Sequence, residues 1–339
     1  MSILSTRRSA VPLLVALTSS VAASGCAANV TGSETAGEEQ LGSEPQANHV
    51  LFFQTTWFKG DPSFIDVAPI EDYWCALTGL SGIFRGFGEE LFVWGNHERH
   101  TPTWQLHGKS NQSGTSGTVT CYRRSDFIGV GSSNIISPQF QVQDYGGNCP
   151  PWPLACGGGD PEPTLTTVWQ GDAVTMLTGM AGDFRGDGEF IEVRQALTGS
   201  APSRIAAQSD VEEDYTRGRA HSFFVGTPGA GRAARFIGPG GLRGTANVGE
   251  FEAGGVTGMQ RVRMAPRDQA FCYLTHVGGA FSNASNSVDI EADEFGFWTL
   301  AVNSPGSSRS KARARCMLLD QRDPILTFPF ALEVDTLKP

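Results

Sequence analysis

Long hydrophobic runs are almost missing from this 339-residue chain. After the stretch from Ala10 to Leu17, no segment is apolar enough to cross a bilayer as a helix. Apolar stripes at the 3.6-residue helical period are scarce as well, which argues against a helical domain. Basic residues are in deficit, with 25 Lys and Arg against 35 Asp and Glu and a net charge of −10. An acidic balance argues against nucleic acid and against docking on anionic lipid headgroups. No GxSxG elbow, P-loop or dinucleotide fingerprint stands in a strand-to-helix context, so the common hydrolase and nucleotide-binding signatures are missing.

Glycine, by contrast, supplies 42 residues. Short runs of Val, Ile, Phe, Trp and Thr, bounded by Gly, Asn, Ser and Pro, recur along the chain in the pattern of antiparallel β structure.

Residues 1–25 read as a secretory signal, with Arg7 and Arg8, an apolar run and then small residues. Its end, Ala23-Ser24-Gly25-Cys26, resembles the lipobox of bacterial lipoproteins, with Ala23 where Leu is commoner. The resemblance implies acylation of Cys26 and a lipid anchor in a membrane. Ala27, where an Asp would retain a lipoprotein in the inner membrane, implies the outer membrane or cell surface of a Gram-negative bacterium. Residues 26–48 are rich in Gly, Ser, Glu and Gln and read as a disordered tether.

Beyond the tether the chain repeats itself. LTGLSGIFRGFGEE from Leu77 matches LTGMAGDFRGDGEF from Leu177, and a weaker copy starts at Cys272. Leu77, Leu177 and Leu274 coincide, as do Thr78, Thr178 and Thr275, Gly82, Gly182 and Gly279, and Phe84, Phe184 and Phe281. In the next strand Leu91, Ile191 and Val288 align, as do Val93, Val193 and Ile290, two residues apart and therefore on one core face. Phe92, Glu192 and Asp289 between them are expected on a face exposed in at least two copies. A following strand matches Trp104 to Trp298 and Leu106 to Leu300, with Arg204 and Ala206 in the second copy. A closing strand places Val119, Ala220 and Ala314 on one face with Cys121, Ser222 and Cys316.

The expected fold is all-β: three homologous antiparallel modules with a period of about 100 residues, over 49–148, 149–247 and 248–339, in a packing compatible with pseudo-threefold symmetry. Each module reads as four strands followed by a variable connection, and ILTFPFALEV near the C-terminus as a final strand. CFLT-like strands (CALT at Cys75, CYLT at Cys272), each followed by a glycine corner, and a closing ARC at Ala314 to Cys316 are similar to modules of bacterial exported and adhesin proteins.

Seven cysteines leave six once Cys26 is given to lipid. Cys75 and Cys121 occupy the positions of Cys272 and Cys316, and the second copy has Thr175 and Ser222 there. Joint presence or absence is what a bonded pair requires, so Cys75–Cys121 and Cys272–Cys316 are expected disulfides. Cys149 and Cys156, in CPPWPLAC, are expected to form a third, because the partners for a thiolate metal site are missing and the compartment is oxidising.

Candidate chemistry is thin. His97 and His100 in HERH are three apart in a turn, not four apart on a helix as a zinc-protease signature requires. Arg185 to Asp187 spells RGD but aligns with RGF. Asp183, Asp187 and Glu189 are the calcium candidates, although they lack the alternate spacing of a calcium loop. Trp104, Trp298, Arg85, Arg185, Glu89 and Glu189 are the weak ligand-binding candidates, the tryptophans because sugar rings stack on aromatic faces. The first expectation is a non-enzymatic, membrane-tethered lipoprotein that binds a glycan or a surface protein without an obligatory cofactor. An exported hydrolase acting on polysaccharide or peptide, and a structural envelope protein, are the alternatives.

Overall fold

The structure, a computed structural model, describes residues 50–57, 63–86, 88–96, 101–111, 114–127, 140–145, 164–166, 173–194, 203–209, 215–224, 234–245, 248–321 and 334–336. The expected Cys26 anchor, the tether, the HERH turn and the Cys149–Cys156 pair lie outside these residues. Residues 47–339 form one compact unit. No helix among the described residues is long and apolar enough to cross a membrane.

The described chain is β throughout, apart from two single-turn 3-10 segments. The first third holds β1 (Val50–Trp57), β2 (Ser63–Pro69), β3 (Tyr73–Gly82), β4 (Glu90–Asn96), β5 (Thr103–Lys109) and β6 (Thr115–Arg123). The second holds β7 (Phe140–Tyr145), β8 (Thr164–Thr166), β9 (Ala173–Gly182), β10 (Phe190–Arg194), β11 (Arg204–Gln208) and β12 (Tyr215–Phe224). The last holds β13 (Phe236–Ile237), β14 (Arg243–Gly244), β15 (Phe251–Gly254), β16 (Gly258–Pro266), β17 (Ala270–Gly278), β18 (Ser287–Ala292), β19 (Phe297–Ser304), β20 (Lys311–Leu318) and β21 (Val334–Thr336).

These strands form three antiparallel sheets. The first runs β1-β6-β3-β18-β19-β16-β21, the second β2-β5-β4-β9-β12-β7, and the third β14-β13-β20-β17-β10-β11-β8, with β15 also on β20. No third of the chain owns a sheet. β3 joins β18, β17 joins β10 and β9 joins β4, so each sheet is shared between two thirds of the chain. The connections between the aligned strands also carry structure. β7 precedes residue 149 yet pairs with β12, and β13 precedes residue 248 yet pairs with β20. Each connection therefore adds edge strands to the segment that follows it. Of the C-terminal segment, Val334 begins the short β21, which pairs with β16.

The repeated motif has a specific mechanical role. In β3·β6, β9·β12 and β17·β20 the register shifts by one residue beside Thr78, Thr178 and Thr275 respectively, leaving each threonine as the extra residue of a bulge. The bulge lets Leu77 and Thr78, adjacent in sequence, both be buried. Thr78 Oγ1 lies 2.6 Å from Thr120 Oγ1, which satisfies both hydroxyls in the core. Gly82, Gly182 and Gly279 follow with φ of 119°, 110° and 82°. A side chain there would be strained, and its Cβ would collide with the carbonyl of Gly114, Tyr215 or Arg309.

Just past these glycines the three corners meet. Phe84 N–H donates to Phe281 O (3.0 Å), Phe281 N–H to Phe184 O (2.7 Å) and Phe184 N–H to Phe84 O (2.8 Å), a closed ring of backbone bonds. Their side chains are fully buried and meet edge to face, with centroids 5.9, 6.3 and 6.4 Å apart. Contacts at the other end of the strands also join different thirds of the chain: Trp74 stacks on Phe223 (4.4 Å), and Tyr122 packs at a tilt against Phe271 (4.5 Å).

The core positions read from sequence are buried: Leu91, Ile191, Val288, Val93, Val193, Ile290, Val119, Ala220 and Ala314. One strand is out of step by a residue. Val93 pairs with Leu106 and Ile290 with Leu300, but Val193 pairs with Ile205. Ile205, not Ala206, is therefore the equivalent of the two leucines, and Ser203, not Arg204, takes the tryptophan position. A one-residue slip inverts every side chain of a strand, so only the reading with Ile205 inward keeps the core apolar.

Candidate functional site

Two of the three expected disulfides lie among the described residues and are formed, Cys75–Cys121 with Cα atoms 4.1 Å apart and Cys272–Cys316 with 4.0 Å. At the third such position the hydroxyls of Thr175 and Ser222 lie 2.7 Å apart in the core, replacing the covalent bond with a hydrogen bond.

The tryptophans are core residues. Trp104 and Trp298 are each 1% exposed. Their indole N–H groups donate to Tyr73 O (2.8 Å) and Ala270 O (2.9 Å). Neither presents a face to a sugar. Arg85 is exposed, and Arg185 reaches back to Asp183 at 2.7 Å. Glu189 accepts from Gly186 N–H (2.5 Å), and Asn286 Oδ1 accepts from Asn283 N–H (2.8 Å) at the same place in the last corner. Glu89 is buried and accepts from Asn111 N–H (3.2 Å); burial raises its pKa, and the backbone donors oppose that shift. The acidic position is thus an acceptor that closes the corner, and the last copy keeps that role with an amide. Asp187 points at the exposed Arg309, 3.9 Å away. The three calcium candidates therefore face different partners, and among the described residues no three His, Cys, Asp or Glu side chains form a metal-holding group.

The described histidines are likewise dispersed. His107 lies under Phe64 (4.3 Å), His221 lies beside Trp104 (5.4 Å) and His276 faces Glu192 (3.9 Å).

The informative chemistry lies on the outer faces of the sheets, along the seams where two thirds of the chain join. The face expected to be exposed at Phe92, Glu192 and Asp289 is in fact largely covered, because side chains of flanking strands fold over it. At the β4·β9 seam, Phe92 sits opposite Gly179 with the Arg219 guanidinium 3.6 Å above its ring. Glu90 there receives both Arg217 and Arg219 at 2.7 Å. At the β10·β17 seam, Glu192 sits opposite His276, with Arg313 at 3.3 Å and Arg194 at 3.2 Å. Burial alone would raise the Glu192 pKa, but His276 and Arg194 outweigh it and hold the group at about 2, while burial pushes His276 down.

At the β3·β18 seam, Asp289 sits opposite Gly79, and a Cβ at Gly79 would strike the Asp289 carboxylate and Thr118. Here the surface opens into a cavity of about 350 Å³, lined by Gln54, Ser116, Thr118, Ser287 and Asn303 around Asp289, with Leu80, Ser81 and the Ala284–Ser285 turn at its margin. Among the described residues, no Lys, Arg or His lines it. Burial raises the Asp289 pKa to about 6; a hydrogen bond from Ser287 works against the shift and the nearby charge of Glu291 adds to it.

That shift has a consequence for stability. The folded protein holds the Asp289 proton more tightly than the unfolded chain, so the contribution is full below about pH 4 and lost as pH rises through about 6. Asp289→Asn removes the ionisation. Urea unfolding at pH 4 and pH 7 should show the wild type losing at most about 3 kcal/mol relative to the variant over that interval. A constant difference between the two proteins would refute the assignment.

Comparison of the chain with protein-family models, with curated proteins and with solved structures finds no match. The meaning of the site must come from its own chemistry. Thr118, Arg219 and Arg313 directly precede the aligned Val119, Ala220 and Ala314, but were not singled out by the sequence analysis. The sequence held no signal for the strand that each would face across a seam.

Proposed function

We propose that this chain is a non-enzymatic, exported binding protein that takes carbohydrate in the cavity at Asp289, and that Cys26 anchors it by lipid to the outer membrane or cell surface. The cavity carries the binding reading. It is open, at the small end of the range for ligand sites, and lined mostly by hydroxyls and amides around one carboxyl, groups that exchange hydrogen bonds with a polyol in several directions. The two disulfides support an oxidising compartment, in keeping with the leader.

The test uses residues 47–339, the compact unit. On a glycan array this fragment should bind at least one polysaccharide class, and Asp289→Ala with Asn303→Ala should abolish the signal. A blank array overturns the carbohydrate reading, and hydrolysis of any arrayed polymer overturns the non-enzymatic one. In producing cells, Cys26→Ser should abolish labelling by radioactive palmitate; labelling that persists overturns the anchor.

A further inference from the structure

Three seams in this molecule have the same construction, and each carries a carboxylate on its outer face: Glu192 and Asp289 at one position, and Glu90 two residues before that position, which Phe92 occupies in its seam. Strand pairing defines the equivalent positions. Across β3·β6, Gly79 faces Thr118 and Ser81 faces Ser116. Across β9·β12, Gly179 faces Arg219 and Ala181 faces Arg217. Across β17·β20, His276 faces Arg313 and Gly278 faces Lys311. The two positions beside a seam are thus Arg217 and Arg219 in one sheet, Lys311 and Arg313 in another, and Ser116 and Thr118 in the sheet of Asp289.

The cations have partners. Glu90 is bonded by both arginines of its seam, and Glu192 is bonded by Arg313 with help from Arg194. In the Asp289 sheet the same places hold short hydroxyl side chains. Serine and threonine in place of two long cationic side chains leave the cavity open, and among the described residues that line it no cation meets the Asp289 carboxylate. A half-buried carboxylate that meets a hydroxyl but no cation is costly to ionise, and the protein relieves the cost by holding the proton. Groups facing Asp289 from the surrounding strands are Gly79 of β3, Thr118 of β6, Gln54 of β1 and Ala301 and Asn303 of β19, none of them titratable. On its own strand the next carboxylate, Glu291, is bonded to Arg261 at 3.0 Å.

Building on the carbohydrate reading, we infer that the cavity selects a sugar carrying a free ammonium group, a de-acetylated amino sugar, whose cation takes the place that arginine fills at the other two seams. Serine, threonine, asparagine and glutamine around Asp289 meet the sugar hydroxyls, and the ammonium donates to the Asp289 carboxylate. N-acetylation of the ligand removes the charge and adds bulk at that point.

Isothermal titration of residues 47–339 with three oligosaccharides tests this: a glucosamine oligomer, its N-acetylated counterpart and a glucose oligomer of equal length. The glucosamine oligomer should bind about tenfold or more tightly than either neutral one, the gain expected of a charge-assisted hydrogen bond. Asp289→Asn should bring the three together. Thr118→Arg should abolish glucosamine binding while leaving the thermal midpoint equal or higher, since it supplies the cation internally; a misfolded variant would lower that midpoint. Equal binding of all three sugars overturns the amine selectivity while the carbohydrate site stands. Absence of binding by all three, with a blank array, overturns both. Calcium chloride alone binding with the same dependence on Asp289 overturns the amine in favour of a metal.

Discussion

Phe84→Ala is expected to destabilise the fold by about 3–5 kcal/mol, the upper range for a large-to-small core substitution. Phe84 is fully buried and packs edge to face on both Phe184 and Phe281, with centroids 6.4 and 5.9 Å away. Removing its ring opens a cavity that the neighbours cannot fill, because each is fixed by the ring of backbone bonds from Phe84 N–H, Phe184 N–H and Phe281 N–H. The lost contacts join all three corners at once, so the damage falls on the assembly of the sheets rather than on one strand. Phe184→Ala and Phe281→Ala should cost similar amounts. A pair of such changes should cost less than the sum of the two, because they share one cavity. Denaturant midpoints for the single and double variants would measure this, and a shift of less than about 1 kcal/mol for Phe84→Ala would show that the triad is not a centre of stability.

The second large effect concerns the covalent links. Cys272→Ser combined with Cys316→Ser should cost about 4 kcal/mol, from the chain entropy that a loop of 44 residues returns to the unfolded state. The pairing of Thr175 with Ser222 tells how much of that a substitute can recover. Two buried hydroxyls in hydrogen-bond contact contribute about 1 kcal/mol net. Cys272→Ser and Cys316→Ser can therefore regain only that much, while Thr175→Cys with Ser222→Cys should form an additional disulfide and stabilise the protein by about 2–4 kcal/mol. Unfolding under oxidising and reducing conditions separates the two contributions. If the double-cysteine variant stays reduced in air, or gains no stability on oxidation, the equivalence of the three positions is wrong.

Much of the scaffold was legible before any coordinates. The corner motif recurs as Leu, Thr, Gly and Phe in three places, and each residue has a separate job there: a core side chain, a bulge, a positive φ and the central ring. The cysteine pairs were legible because two positions changed together. Where the reading failed, a specific force intervened. β11 slipped by one residue because Ile205, rather than Ala206, satisfies the core. The outer-face residues Phe92 and Glu192 became buried because Arg219 and Arg313 belong to strands that local alternation cannot see. The tryptophans, offered as ligand platforms, were drawn inward by the apolar area they bury and by carbonyls placed to accept their indole protons.

The division follows from the range of the interactions. Alternation of side chains, turn-forming glycines and paired cysteines are local or covalent matters, and the amino-acid sequence alone determined the β class, the corners and the Cys75–Cys121 and Cys272–Cys316 disulfides. The seams β3·β18, β4·β9 and β10·β17 join strands far apart in the chain, and nothing in a strand's own pattern names its neighbour. Only the tertiary structure decided that Asp289 would face Gly79, Ser116 and Thr118 while Glu90 and Glu192 met arginines. That juxtaposition is electrostatic and steric, arises when sheets are shared between thirds of the chain, and leaves one of three similar seams open as a cavity.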